Sequence, residues 1–220
     1  MSGAVGGDRR PIKSRDTALA QRFASWLVAH RVSPDAISLF GMVAGLAAGA
    51  CLWSTVPWSA GERWLFAAAA LAIQVRLLCN LFDGMVAIGS GRASPVGELY
   101  NDLPDRVSDS AVLIGLGLAG GCPWLGCAAA LLAMATAYVR TLGKALGAGS
   151  DFGGPMAKQQ RMFVVTLAAL FMALAPAAWR PALSGLGLPG LALVVIVVGS
   201  AWTVVRRLRN VARQLRGGSR

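Results

Sequence analysis

The sequence predicts an all-α membrane protein with six transmembrane helices and an N-terminal amphipathic surface helix. Of its 220 residues, 55% are hydrophobic and only 14% are charged. The mean hydropathy of +0.58 is too high for a soluble domain of this size. Several stretches also approach the roughly twenty apolar residues that a helix needs to cross a bilayer.

The N-terminal segment is expected to stay outside the bilayer. Residues 1–16 have no apolar core after their basic residues, which argues against a secretory signal and predicts a disordered cytoplasmic tail. Residues 17–31 carry apolar side chains at helical spacing: Leu19, Phe23, Trp26 and Leu27. Such a stripe is typical of a helix lying on the membrane surface, and it equally suits a helix packed on the protein itself.

Six apolar stretches follow. Two Ser-Pro pairs, Ser33-Pro34 and Ser94-Pro95, predict helix starts, because serine is a good N-cap and proline suits the first helical turn. The predicted spans cover residues 34–53, 63–88, 95–120, 125–146, 158–175 and 191–205. Residues 17–210 are expected to form one domain, and residues 211–220 a basic cytoplasmic tail.

The basic residues predict the orientation. The formal net charge is +11, and lysine and arginine concentrate at the two termini and in alternate loops. The other three loops hold only Arg63 and Arg180. Because cytoplasmic loops carry the excess of lysine and arginine, both termini are predicted to be cytoplasmic, in the inner membrane of a bacterium. We interpret the charge as membrane orientation, so no nucleic-acid partner is expected.

A polar stretch interrupts this apolar chain. Its oxygen-bearing side chains are Asn80 and Asp83 on the second span and Asn101, Asp105 and Asp109 on the third. Residues three or four apart share a helix face, so an antiparallel helix pair would bring the two polar faces together. Oxygen ligands converging from two helices suit a hard cation such as magnesium. The polar ends of spans two to five should lie on the cytoplasmic side.

Two other interpretations concern the same stretch. The carboxylates can pair with Arg76 and Arg106 in a purely structural network, although ionisable groups in a membrane bundle by default mark function. A small transporter is less consistent with the sequence, because the polar residues lie at one membrane face and not at the midplane. The four cysteines form no C-x2-C pair and His30 is the only histidine, so no zinc site is expected.

The polar stretch resembles the signature of the CDP-alcohol phosphatidyltransferase family, D-x2-D-G-x2-A-R-x8-G-x3-D-x3-D. The residues that agree with it are Asp83, Gly84, Ala87, Gly97 and Asp105. Three positions depart: Asn80 and Asn101 replace the first and third aspartates, and Ile88 replaces the arginine. The surface helix followed by VSPDAIS, the Tyr138-x-Arg140 ending and the basic start of span five also resemble the family.

The resemblance implies a transferase of phospholipid synthesis. Such an enzyme moves a phosphatidyl-type group from a CDP-linked lipid, usually CDP-diacylglycerol, to an alcohol or phosphorylated alcohol and releases CMP. The residues it assigns to a divalent metal, magnesium or manganese, are Asp83, Asp105, Asn80 and Asn101. It makes Asp105 the general base and assigns CDP binding to Gly84, Ala87, Gly97 and Asp83. It also implies a homodimer.

The departures change what is expected of the metal site. Two asparagines remove two negative charges from a site for two divalent cations, so we expect weaker binding and one tight metal. Glu98 and Asp109 are candidates to compensate. Four basic residues are expected on the same side, as an anion pocket or as membrane anchors: Arg140, Lys144, Lys158 and Arg161. The alternative function is a catalytically weak or inactive member that binds CDP-lipid or nucleotide as a membrane scaffold.

Overall fold

A computed structural model of the protein describes residues 17–91 and 95–217, apart from the side chains of residues 95, 96, 98 and 100. The predicted tail at residues 1–16 and the Ser94 cap lie outside these ranges. Within them the chain forms helices α1 (Ala18–Ala29), α2 (Pro34–Ser54), α3 (Glu62–Gly89), α4 (Pro95–Ala119), α5 (Pro123–Ala145), α6 (Lys158–Leu174) and α7 (Leu188–Gly217). A hairpin of two short strands, β1 (Ala182–Leu183) and β2 (Leu186–Gly187), lies where only a loop was predicted.

The helices confirm an all-α membrane protein. Four segments are long and apolar enough to cross a bilayer. They are α2, the segment 59–89 that contains α3, helix α5 and helix α7. Helix α4 begins with several charged residues and α6 has only 17 residues, so these two do not meet the same criteria. The count of six spans therefore stays a prediction. Helix α7 continues without a break to Gly217, so residues 211–217 extend the last span.

Helix α1 combines both sequence interpretations. It packs against α3, and its buried residues are Ala20, Ala24 and Leu27. Leu19, Phe23 and Trp26 remain exposed, although the Phe23 ring also contacts Phe82 of α3 with centroids 4.8 Å apart. One apolar edge thus faces the protein and another faces outward, where it can enter a membrane surface. Its role as a surface helix stays a prediction.

Helix α2 is the centre of the polar half of the bundle. It packs along both α3 and α4, whereas among the described residues α3 and α4 make little direct backbone contact. The two polar helices therefore do not pack directly on each other: α2 lies against both, and the long side chain of Arg76 bridges α3 and α4. The close approach of α2 to α4 depends on glycine. A Cβ atom at Gly45 would lie 2.3 Å from Ser108 Cβ, and one at Gly49 would lie 2.5 Å from the Ala111 carbonyl oxygen.

Arg63 and Arg180, the two arginines of the loops predicted not to be cytoplasmic, stabilise the end of the bundle opposite the polar cluster. Arg63 donates from Nε and Nη2 to the carbonyl oxygens of Ala173 and Leu174, both at 2.8 Å. Arg180 forms an ion pair with Glu62. Because the last carbonyl groups of a helix have no partner within it, these contacts complete the C-terminal end of α6.

We expect Gly49→Val to separate α2 from α4. The added side chain has no room against the Ala111 carbonyl, and overpacking of this kind costs about 1–3 kcal/mol. Thermal unfolding of the purified protein in detergent should show a lower midpoint. Gly61→Ala is the control, because no atom lies within 4 Å of a Cβ at that position. Equal midpoints for the two variants would contradict the close packing.

Candidate active site

Asp83 is buried and fixed by uncharged partners. Its side chain lies on α3 with 2% of the residue exposed. Oδ2 accepts a hydrogen bond from Ser38 Oγ of α2 at 2.8 Å, and Oδ1 accepts one from the Gly84 N–H. Among the described residues no basic group lies within ion-pair distance of Asp83. The charges of Asp105 and Lys158 are nevertheless close enough to act on it. Asp83 is thus a buried carboxylate near a second carboxylate and an ammonium group.

Asp105 is held by cations from three helices. Its Oδ1 lies 3.3 Å from Arg76 Nη2 of α3, and its Oδ2 contacts the ammonium of Lys158 at the start of α6. Arg106 Nη2 of α4 lies 3.9 Å from Oδ2. The Asp105 side chain is 15% exposed, so it can still meet a ligand. A carboxylate with this many cationic neighbours is fixed in orientation.

Arg76 connects these residues to a deeper ion pair. Its side chain is 1% exposed, and its Nε donates to Ser108 Oγ at 2.5 Å. Its Nη2 pairs with Asp109, which also lies 3.6 Å from Arg161 Nη2. Buried charges need partners, because removing them from water is costly. The structural ion pairs with Arg76 and Arg106 that the sequence offered are therefore present. Asp109 is occupied by two arginines.

The remaining motif residues lie around this cluster. Gly84 is buried, and Asn80, Asn101, Ala87 and Gly97 are half-buried. The buried Asn80 Nδ2 has no hydrogen-bond partner among the described residues. Ile88, at the departing arginine position, is 60% exposed. The side chain of Glu98 lies outside the described part of the structure, so its role as a compensating acid stays a prediction.

The four basic residues expected as an anion pocket are mostly paired with acids of α4. Three of them form ion pairs: Arg140 with Asp102 at 3.0 Å, Lys158 with Asp105, and Arg161 with Asp109. Arg161 is 1% exposed, so it does not anchor the protein to lipid headgroups. Lys144 is exposed on α5. The anion pocket stays a prediction, and a ligand phosphate would have to compete with carboxylates for these cations.

Residues 147–157, which we term the α5–α6 strap, are packed against α7. Arg207 Nε donates to the Gly153 carbonyl at 2.9 Å, and the Met156 N–H donates to Thr203 Oγ1 at 3.1 Å. Gly154 has a φ of +128°, and a Cβ there would lie 2.4 Å from Thr203 Cγ2, so only glycine fits. The glycine-rich strap is therefore closely apposed to α7. It positions Lys158, the first residue of α6.

Sequence analysis missed several polar side chains of this region. They are Ser38, Ser108, Thr136, Thr203 and Arg207, all buried. Each makes a hydrogen bond to another helix or to the strap. The signal that could have found them is a polar residue inside an apolar helix, since such a group needs a partner there. Sequence spacing within one helix does not reveal the partner on another.

The chain is similar in sequence to inositol phosphate lipid synthases. No protein-family model matches it. It is 28% identical over 211 residues to phosphatidylinositol phosphate synthase of Streptomyces avermitilis, covering 90% of this chain and 80% of that protein. It is 29% identical over 204 residues to archaetidylinositol phosphate synthase of Aeropyrum pernix, covering 91% and 94% respectively.

Solved structures of one such synthase have a backbone fold similar to that of this chain. The crystal structure of Mycobacterium tuberculosis phosphatidylinositol phosphate synthase with manganese and citrate has a TM-score of 0.70 to this chain. The sequences are 22% identical, and the match covers 87% of this chain and 88% of that one. The chain has the phosphatidylinositol phosphate synthase fold. The same protein with CDP-DAG bound also gives a TM-score of 0.70, with coverage of 89% and 94%.

The similar fold and the similar sequences agree with the resemblance to CDP-alcohol phosphatidyltransferases that the motif indicated. Identity below 30% over most of the chain leaves the departures at Asn80, Asn101 and Ile88 to be interpreted from this chain alone. The phosphatidylinositol phosphate synthase fold therefore fixes the backbone on which the polar cluster is built. The chemistry of that cluster depends on its own side chains.

We expect Asp109→Asn to destabilise the protein much more than Asp102→Asn. The first change leaves the buried Arg76 and Arg161 without their shared carboxylate, which costs about 3–5 kcal/mol. The second removes a carboxylate that is 44% exposed, which costs at most about 1 kcal/mol. Denaturant unfolding in detergent measures both. Similar losses of stability would show that the Asp109 ion pairs are not the buried centre of the network.

Proposed function

We propose that this protein is a metal-dependent CDP-alcohol phosphatidyltransferase. It would transfer a phosphatidyl-type group from a CDP-linked lipid to a phosphorylated alcohol of the inositol phosphate kind and release CMP. The observation that carries the proposal is the cluster at one end of the bundle, where Asp83 and Asp105 stand at the motif positions beside Lys158. Similarity to inositol phosphate lipid synthases over about nine-tenths of the chain supports it.

The names of the relatives support a phosphorylated acceptor. The two products, phosphatidylinositol phosphate and archaetidylinositol phosphate, share the inositol phosphate and differ in the lipid. A phosphorylated acceptor needs cations, and Arg140 and Lys144 are reachable at this end, with 27% of the Arg140 side chain exposed. The donor is proposed to be CDP-diacylglycerol, by analogy with the lipid bound to the M. tuberculosis protein.

The donor set fits one divalent cation better than two. Among the described residues there is no group of three or more His, Cys, Asp and Glu side chains that could hold a metal. Asp83 and Asp105 would supply two carboxylates, and Asn80 and Asn101 two neutral amide oxygens. Oxygen donors alone suit magnesium or manganese. When bound, the cation would neutralise charge on the diphosphate oxygens.

The side chains of the cluster can perform the remaining steps. Asp105 would accept the proton of the acceptor hydroxyl, whose oxygen attacks the phosphorus nearest the lipid while the bond from that phosphorus to CMP breaks. Arg76 holds Asp105 from its Oδ1 side, which leaves Oδ2 toward Lys158. Ser38 holds Asp83 in place. Gly84, Ala87 and Gly97 would leave room for the CDP group.

The proposal includes the cellular setting. The protein would lie in a bacterial inner membrane as a homodimer, with both termini and the polar cluster cytoplasmic. The basic residues of the loops and termini support this orientation. The cluster at one end of the bundle suits a substrate whose lipid tails stay in the bilayer while its nucleotide stays in water.

A release assay tests the function. The purified full-length protein is incubated with CDP-diacylglycerol, magnesium or manganese, and inositol phosphate, and CMP is measured. We expect CMP release that needs both the acceptor and the metal and that stops on addition of EDTA. Asp83→Asn should reduce the rate at least about a hundredfold, because a ligand carboxylate becomes a neutral amide. Asp35→Asn is the matched control, since Asp35 is an exposed carboxylate at the same end of the bundle.

The alternative is a scaffold that binds CDP-lipid without turnover. The asparagines at positions 80 and 101 and the paired state of Asp105 favour it. Binding of CDP-diacylglycerol without CMP release, across inositol phosphate, inositol, glycerol phosphate and serine, would contradict the transferase and support the scaffold. Full activity of Asp83→Asn would show that the reaction takes place elsewhere.

A further inference from the structure

Lys158 lies where a positive centre of the substrate site would be needed. Its ammonium contacts Asp105 Oδ2, on the side of Asp105 that Arg76 does not hold. The side chain is 21% exposed, which leaves it accessible to a ligand. Lys158 begins α6, and the strap before it is bound to α7 through Gly153 and Met156. Its backbone is therefore fixed relative to Asp105.

Four arginines near Lys158 pair with the other acids of α4, although Arg76 and Arg106 also lie close to Asp105. Arg76 and Arg161 share Asp109, and Arg106 and Arg140 share Asp102. Because Asp102 and Asp109 are each paired with two arginines, they are poor candidates for metal ligands. Among the side chains that the structure describes, Asp83 and Asp105 are the motif carboxylates left to hold a metal near Lys158. Two divalent cations on two carboxylates, with an ammonium in contact, would place strongly repelling charges within a few ångströms.

We propose that the ammonium of Lys158 takes the place of one of two cations in the substrate site, so that each chain binds a single divalent cation. This inference rests on the proposed function for its substrate, the diphosphate of a CDP-linked lipid. The divalent cation would bind beside Asp83 and Asp105, and Lys158 would act on the diphosphate as a point charge. Lysine is suited to this, since its ammonium is compact and its stem is flexible.

The asparagines become consistent with this arrangement. Asn80 and Asn101 lower the negative charge of the motif by two relative to four aspartates. A site with one divalent cation and one ammonium needs fewer carboxylates than a site with two divalent cations. The two asparagines lower the negative charge of the site, and Lys158 in place of a second divalent cation lowers its positive charge. The two differences therefore balance each other.

Manganese binding tests the inference without any need for turnover. The purified full-length protein is titrated with Mn²⁺ in detergent, without nucleotide, and free Mn²⁺ is measured by electron paramagnetic resonance. We expect one Mn²⁺ per chain for the natural sequence. Lys158→Met should bind Mn²⁺ at least about tenfold more tightly, because a repelling charge is removed from contact with Asp105. Arg213→Met, which removes one positive charge from an exposed position near the end of α7, should change the affinity less than about twofold.

A third variant tests the place of the second cation. Asn80→Asp with Asn101→Asp, in the Lys158→Met background, should raise the stoichiometry from one Mn²⁺ to two. Two Mn²⁺ per natural chain, no Mn²⁺ at all, equal affinities for Lys158→Met and Arg213→Met, or one Mn²⁺ in the triple variant would each overturn the inference. The natural-chain stoichiometry needs no substitution, so misfolding of a variant does not remove the test.

The two proposals fail separately. CMP release with two Mn²⁺ per chain would keep the transferase and overturn the role of Lys158. One Mn²⁺ per chain, tightened by Lys158→Met, without CMP release would keep the single-cation site and overturn the transferase.

Discussion

The buried guanidinium of Arg76 is the interaction on which the polar end of the bundle depends. Helices α3 and α4 make little direct backbone contact in the described residues, because α2 packs against both. Arg76 crosses from α3 to reach Ser108, Asp105 and Asp109 of α4. Without it, two carboxylates would be left in a largely apolar interior with fewer partners, which is costly. The guanidinium therefore keeps the two halves of the motif together.

In this arrangement the carboxylates of the site are paired with basic side chains from neighbouring helices. Asp105 and Asp109 are both shared between cations of different helices, so the position of each helix affects the charge that the site presents. The strap extends this linkage to α7, since Arg207 donates both to Gly153 in the strap and to the Thr136 carbonyl of α5. A substrate carrying phosphates would enter an existing network and take over some of its ion pairs. Binding and local rearrangement are thus coupled through the same side chains.

The sequence was sufficient for the local structure. Pro34, the apolar runs and Lys158 gave helix starts within a few residues, because capping and hydropathy act locally. The motif spacing placed Asp83 and Asp105 on the polar faces of α3 and α4, since a helix face repeats every three to four residues, and their role as ligands stays a prediction. The pairing of helices was not readable. That α2 lies against both polar helices depends on Gly45 and Gly49, whose role appears only when a neighbouring helix is close.

Partners across helices were equally hidden. Ser38 is an ordinary serine near the start of α2 until Asp83 is placed beside it. The basic residues looked like one group in sequence, yet Arg140 and Arg161 pair with different acids, at different depths. The strap could be recognised as glycine-rich, but the contact of Gly154 with Thr203 depends on how α7 packs. Charge and spacing pointed to a candidate site, and tertiary packing determines which partner each charged side chain has.

The most direct test of the account is the position of the metal. Crystals of the protein grown with Mn²⁺ and a CDP-linked lipid would give an anomalous difference map at the manganese edge. We expect one peak per chain, within about 2.3 Å of oxygen atoms of both Asp83 and Asp105. A peak that contacts neither carboxylate, or that lies at the opposite end of the bundle, would contradict it.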